Sequence, residues 1–109
     1  MHEQDFIFEQ IVNRGHERLC FHHDPETGLR AIVAIHSTAL GNALGGTRRW
    51  YYASEEDAVF DVLRLSKGMT FKAAVSGLPM GGAKSVIMLP SPDHPRSEAE
   101  ARAMGRFVD

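Results

Sequence analysis

The chain has 109 residues, 43% of them hydrophobic and 24% charged, with a formal charge of -2. This is the composition of one globular domain with a single core; it lacks the basic excess of a nucleic-acid binder, and no apolar run approaches the roughly 20 residues of a membrane span. Cys20 is the only cysteine, which excludes an intrachain disulfide and reads as a small buried residue.

The N-terminal stretch MHEQDFIFEQ is acidic and has no signal-peptide core, so the cytoplasm is the expected compartment. Residues 4–13 place apolar side chains at 6, 7, 8, 11 and 12, the spacing of a short amphipathic helix, and Asn13-Arg14-Gly15 stops it. Residues 17–23 and 29–36 read as strands, the second rich in β-branched residues. Asp24-Pro25-Glu26-Thr27-Gly28 between them is a turn, which makes the pair a hairpin. The small residues 37–46 read as a loop, and residues 45–52 as a third strand leaving it. Ser54 followed by Glu55, Glu56 and Asp57 caps a helix with acids in its first turn. An apolar stripe carries that helix to residue 75, with a break expected at Gly68 and an end at Gly77 and Pro79. Gly81-Gly82-Ala83-Lys84 reads as a turn, residues 85–89 as a short buried strand, residues 91–96 as a loop, and the stretch from Ser97 as a last helix. The order α-β-β-β-α-β-α predicts an α/β fold: one three-layer-like domain, residues 1–109, with a mixed sheet flanked by helices. The chain stops inside an amphipathic helix without a cap, which suggests a domain cut from a longer protein.

Most chemical motifs fail on spacing or context. In GLPMGGAKS, Gly77 and Gly82 have the separation of a phosphate loop, but Ala83 intrudes before Lys84, and the segment follows a helix and opens a strand. No G-x-G-x-x-G joins a strand to a helix, so a nicotinamide cofactor lacks its usual platform. The six histidines show no metal-ligand spacing and read as structural or surface residues. There is no G-x-S-x-G elbow.

The lysines stand out instead. The chain has nine arginines but three lysines, Lys67, Lys72 and Lys84, all inside one stretch, SKGMTFKAAVSGLPMGGAKSVIM, that holds no acid. Unpaired ammoniums in such a segment call for an anionic ligand. Met69 and Lys72 are three apart and share a helix face, an apolar side chain beside a cation. Gly81 and Gly82 allow a close approach before Lys84. Two neighbouring, partly desolvated ammoniums favour loss of a proton from one, leaving one amine as a base and one cation to hold a carboxylate.

The runs AIVAIHSTALGNALGGTRRW and SEEDAVFDVLRLSKGMTFKAAVSGLPMGGAKSVIM resemble the N-terminal domain of the leucine/valine/phenylalanine dehydrogenases, within the glutamate dehydrogenase superfamily. The resemblance covers roughly residues 15–109, and the spacing of twelve between Lys72 and Lys84 is the family's. It implies that Lys72 holds the substrate α-carboxylate and that Lys84 activates water and stabilises a carbinolamine. Gly45 and Gly46 would line the substrate pocket with backbone, and Leu44 and Met69 with side chains. Lys67 has no catalytic counterpart. Leu44 stands where the glutamate enzymes resemble one another in a lysine for the distal carboxylate; an apolar residue there rejects a second charge.

The resemblance therefore implies part of an NAD-dependent enzyme that deaminates an apolar L-amino acid to a 2-oxo acid and ammonia, assembled as a homo-oligomer. Asn42 replaces a frequent proline. The family's catalytic aspartate and its nucleotide-binding domain are expected beyond Asp109, so the 109 residues alone are expected to be inactive. Two other readings stay open: a truncated module that oligomerises or binds an amino acid without catalysis, and a decayed remnant without function.

Overall fold

A computed structural model describes residues 6–38, 43–44, 46–77, 81–95 and 98–108. Helix α1 (Phe6–Arg14) leads into strand β1 (Arg18–His23) and strand β2 (Arg30–Ser37), which pair antiparallel as the expected hairpin. Its turn is fixed by Asp24, whose carboxylate accepts from Thr27 N at 3.0 Å and Thr27 Oγ1 at 2.7 Å. Gly28 then takes a φ of 74°, a conformation that a Cβ would strain.

Two short strands follow, β3 (Ala43–Leu44) and β4 (Thr47–Trp50). Both pair in parallel with strand β5 (Gly81–Met88), end to end along one edge of it. On its other edge β5 pairs antiparallel with β2. The sheet order is thus β1, β2, β5, then β3 and β4 sharing the last rank. Helix α2 (Glu55–Val75) joins β4 to β5, and helix α3 (Glu98–Val108) follows β5.

Alternation along β2 and β5 divides the core in two. Ile32, Ala34, Val86 and Met88 face α2, where they meet Ala58, Val59, Val62 and Leu63. Ala31, Ile87 and the adjoining Leu29 and Leu89 face α3 and meet Ala103. Fully buried side chains such as Ile32, Val62, Leu63 and Val86 each contribute about 2 kcal/mol. Arg49 of β4 fastens α3 by a 2.7 Å ion pair with Glu100 and by donating to the carbonyls of His94 and Pro95. The result is the mixed-sheet, three-layer α/β domain that the element order predicts.

Four local expectations are corrected. The stretch Gly81-Gly82-Ala83-Lys84 is strand, not turn. Its glycines serve contact rather than chain reversal: a Cβ on Gly81 would overlap the Ser37 carbonyl, and one on Gly82 would overlap α2 at Ser66 O and Thr70. Gly68 does not break α2, which runs unbroken over 21 residues. It faces open space, so the helix loses only the propensity of one residue there. Cys20 is half-buried rather than buried, because β1 is an edge strand. Part of the expected loop 37–46 is β3. The Ser54 cap holds as expected, accepting from Asp57 N at 3.1 Å, and Gly77 ends the helix at a φ of 74°.

A buried polar cluster joins α1, β2 and α2. His16 donates from Nε2 to Ser66 Oγ at 2.7 Å, and Ser66 Oγ donates to Leu63 O at 3.0 Å. Its Nδ1 is then a bare lone pair, buried with no partner among the described residues. Burial, the neighbouring His36 and the charges of Arg14 and Lys67 push His16 down from 6.5 to about 4, against the Leu63 carbonyl, which raises it. The folded chain therefore keeps His16 neutral where the unfolded chain takes up a proton. Stability is expected to fall as pH drops from about 6.5 to about 4, by up to about 3 kcal/mol, and this loss levels off below about 4. Urea titrations of the parent and His16→Asn across that window check it; parallel pH dependences would count against it. Asp61 and Glu17 act in a lower window, because hydrogen bonds hold both carboxyls below their ordinary values.

Candidate active site

Helix α2 sorts its residues by angle. With the sheet-facing Ser66 and Ala73 as reference and about 100° per residue, Met69 and Lys72 fall on one flank and Lys67 on the other. The neighbours identify the flanks. Asp61, on the Met69 and Lys72 side, faces β4: it pairs with Arg48 at 3.5 Å and accepts from Tyr52 just beyond that strand. This holds the helix to that edge. Burial and the Asp61 carboxylate push the Tyr52 hydroxyl up, so it stays a donor. Phe60, on the Lys67 side, lies under Arg14 at the end of α1, 5.5 Å from guanidinium to ring centre. Lys67 thus lies on the flank of α2 opposite Met69 and Lys72.

Lys84 lies on β5 between Gly82 and Val86, and so on the α2 face of the sheet, half-buried. The parallel edge is interrupted beside it. Leu44 pairs with Gly82 and Thr47 with Ser85, which leaves residue 46 opposite Lys84. A Cβ placed on Gly46 would stand 3.5 Å from Lys84 Nζ. Gly46 therefore leaves open the space next to the ammonium, and its carbonyl is tied down by Ser85 N at 3.0 Å. The Ser85 side chain points to the opposite face, with its hydroxyl 2.6 Å from Thr47 Oγ1.

The site thus gathers Lys84 and Gly46 directly, and sets half-buried Met69 and exposed Lys72 along the flank of α2 that faces the same edge. Leu44 contributes backbone to β3, and its side chain lies outside the described residues, as does Gly45. The ion pairs seen at Arg30, Arg48, Arg49, Arg64 and Arg102 leave the lysines out, and Lys67, Lys72 and Lys84 have no acidic partner among the described residues. Such a pair of cations, one half-buried and one exposed, can hold a carboxylate and leave an amine beside it.

The described residues offer no metal site: no group of three or more His, Cys, Asp or Glu could hold an ion. Nor do they fit a dinucleotide. The connections from β4 to α2 and from β5 to α3 contain no glycine turn to receive a pyrophosphate. No described helix is long and apolar enough to cross a membrane. The reading of the histidines as structural holds for His16 and His36, but their link to Ser66 and Thr70 was not legible in the sequence; polar residues recurring on the sheet-facing side of α2 were the available signal.

Comparison with known proteins bears on the family and the fold. Residues 16–109 match the family described as Glu/Leu/Phe/Val dehydrogenase, dimerisation domain. A leucine dehydrogenase of Bacillus cereus is 54% identical over 102 residues, 94% of this chain and 28% of that protein. A phenylalanine dehydrogenase of Lysinibacillus sphaericus is 48% identical over 94% of this chain and 26% of its own length. The crystal structure of L-tryptophan dehydrogenase from Nostoc punctiforme superposes with a TM-score of 0.88 at 46% identity, covering 94% of this chain and 30% of that one. The chain thus spans little more than a quarter of the curated relatives it matches. With its fold and nearly its whole length in agreement, the chain belongs to the Glu/Leu/Phe/Val dehydrogenase family, as a dimerisation domain of that family.

Proposed function

We propose that this domain supplies the substrate-binding half of the active site of an NAD-dependent dehydrogenase that deaminates an apolar L-amino acid to a 2-oxo acid and ammonia. The observation that carries the reading is the half-buried ammonium of Lys84 beside the open space at Gly46, with no acidic partner among the described residues. The names of the relatives, leucine and phenylalanine dehydrogenase, support the substrate class.

In this reading Lys72 binds the α-carboxylate and Met69 borders the apolar side chain. Leu44, on the strand next to Gly82, disfavours a second carboxylate because an apolar side chain offers that charge no partner. A dinucleotide held by the rest of the enzyme would accept the Cα hydride, oxidising the amino acid to its imine. Lys84, as the free amine, takes a proton from water as the water oxygen adds to the imine carbon, and its ammonium then stabilises the carbinolamine. Lys84 returns that proton to the nitrogen; the C–N bond then breaks to release ammonia as the hydroxyl proton passes back to Lys84, leaving the 2-oxo acid. The dinucleotide and a catalytic aspartate belong to segments other than these 109 residues. Assembly as a homo-oligomer is part of the same reading, supported by the family's description as a dimerisation domain and by the exposed apolar side chains of Phe8, Val12 and Phe21.

The test is kinetic. The reading frame extended past codon 109 is expected to give a protein with NAD-dependent activity on leucine, valine or phenylalanine. In it, Lys72→Ala is expected to raise KM for the amino acid roughly tenfold to a hundredfold, the worth of a charge-assisted carboxylate contact, with a smaller change in kcat. A stop codon at that point, or an extended protein without turnover, would favour a non-catalytic module instead.

A further inference from the structure

Two histidines and two hydroxyls tie α1, β2 and α2 to the strand that carries Lys84. His36 sits where the register of β2 on β5 shifts: Ile35 pairs with Ala83, but Ser37 pairs with Gly82. The extra residue is a bulge, which bends a strand and re-aims its side chains. It brings the Ser37 carbonyl over Gly81. The His36 ring reaches α2, where Nδ1 accepts from Thr70 Oγ1 at 2.8 Å while Nε2 donates to Arg14 O at 3.2 Å. One turn earlier on α2, Ser66 is held by His16, and the two rings meet edge to face, 4.7 Å between centres.

Both anchored residues of α2 bear on Gly82, two positions before Lys84: a Cβ there would overlap Thr70 N, Thr70 Oγ1 and Ser66 O. The apolar cluster beneath the helix ends at Leu63, and beyond it the buried residues of α2 are only Ser66 and Ala73. A methyl group and a glycine surface do little to fix how a helix is turned or slid along a strand. Directional hydrogen bonds do.

We propose that His36 and Thr70 are positioning residues for the lysine pair, a clamp that sets α2, carrying Met69 and Lys72, against β5, carrying Lys84. The inference rests on the reading of Lys72 and Lys84 given above. Because the two lysines sit on different elements, the gap between their ammoniums depends on how those elements are docked, and the clamp lies at the point of contact.

The test uses the fact that the chain has only three lysines. The 109-residue chain is acetylated briefly with acetic anhydride, and modification of each lysine is read by peptide mapping, as the ratio of Lys84 to exposed Lys72. Thr70→Val, which keeps the shape and removes the hydroxyl, is expected to change that ratio by about threefold or more, the factor one neutral hydrogen bond is worth. Thr70→Ser is expected to restore it. His36→Phe, which keeps a ring against His16 but offers Thr70 no acceptor, is expected to behave as Thr70→Val does and serves if that variant fails to fold. In the extended enzyme Thr70→Val is expected to raise KM and lower kcat together by about tenfold, as small misplacements do. An unchanged labelling ratio in both folded variants would overturn the clamp even if the enzyme turns over amino acids. A changed ratio in a protein without turnover would leave the clamp standing and the proposed reaction refuted.

Discussion

Replacing Lys84 by alanine in the extended enzyme is expected to lower kcat by about a thousandfold, within the range a positioned acid or base supplies. The expectation follows from placement. Lys84 projects from the central strand β5, so its backbone is held from both sides by pairing with β2 and with the β3 and β4 edge. Its amine lies beside Gly46, which stands between β3 and β4 and brings no side chain to fill the gap. Truncation to alanine removes the amine and leaves the strand intact, because a smaller side chain at a half-buried strand position meets no overlap. The circular dichroism spectrum should therefore match the parent, and the loss should appear in kcat. Binding should suffer less, because Lys72 still holds the carboxylate. The opposite split, a large rise in KM with kcat nearly unchanged, would move Lys84 from chemistry to binding. A kcat within tenfold of the parent would remove it from the mechanism.

What the sequence made legible and what it hid divide along a physical line. Local chemistry was readable: Ser54 ahead of three acids is a helix cap anywhere, and Asp24 with Thr27 and Gly28 makes its turn with its own side chains. The lysines were readable as a group because they share a segment without acids. Their division came from the family resemblance alone, and its geometric side, Lys67 on the flank of α2 opposite Met69 and Lys72, requires knowing which side of that helix faces the sheet. Gly81 and Gly82 were the hardest. Two adjacent glycines look like a turn, since glycine's backbone freedom is its commonest use. Here the use is the missing side chain, and the partners that require it, Ser37 and Thr70, are distant in sequence. The same distance hid the histidine cluster, whose bonds join residues up to 50 positions apart.

That use of glycine makes the second large expectation a structural one. Gly82→Ala is expected to destabilise the domain by about 3 kcal/mol or more, at or beyond the upper end of ordinary overpacking, because the added carbon meets backbone atoms of α2 that cannot rotate away. In a domain of this size that lowers the melting temperature by roughly 15 °C or more. Gly68→Ala is the matched control. Gly68 lies on the same helix with open space around it, so alanine there is expected to stabilise by about 0.5–1 kcal/mol through helix propensity. Thermal melts of the two variants of the 109-residue chain should move in opposite directions. A Gly82→Ala melt within a few degrees of the parent would mean that α2 can lift from β5 at little cost. The docking of the helix that carries Lys72 on the strand that carries Lys84 would then be loose, and a site divided between a helix and a strand needs that docking to be firm.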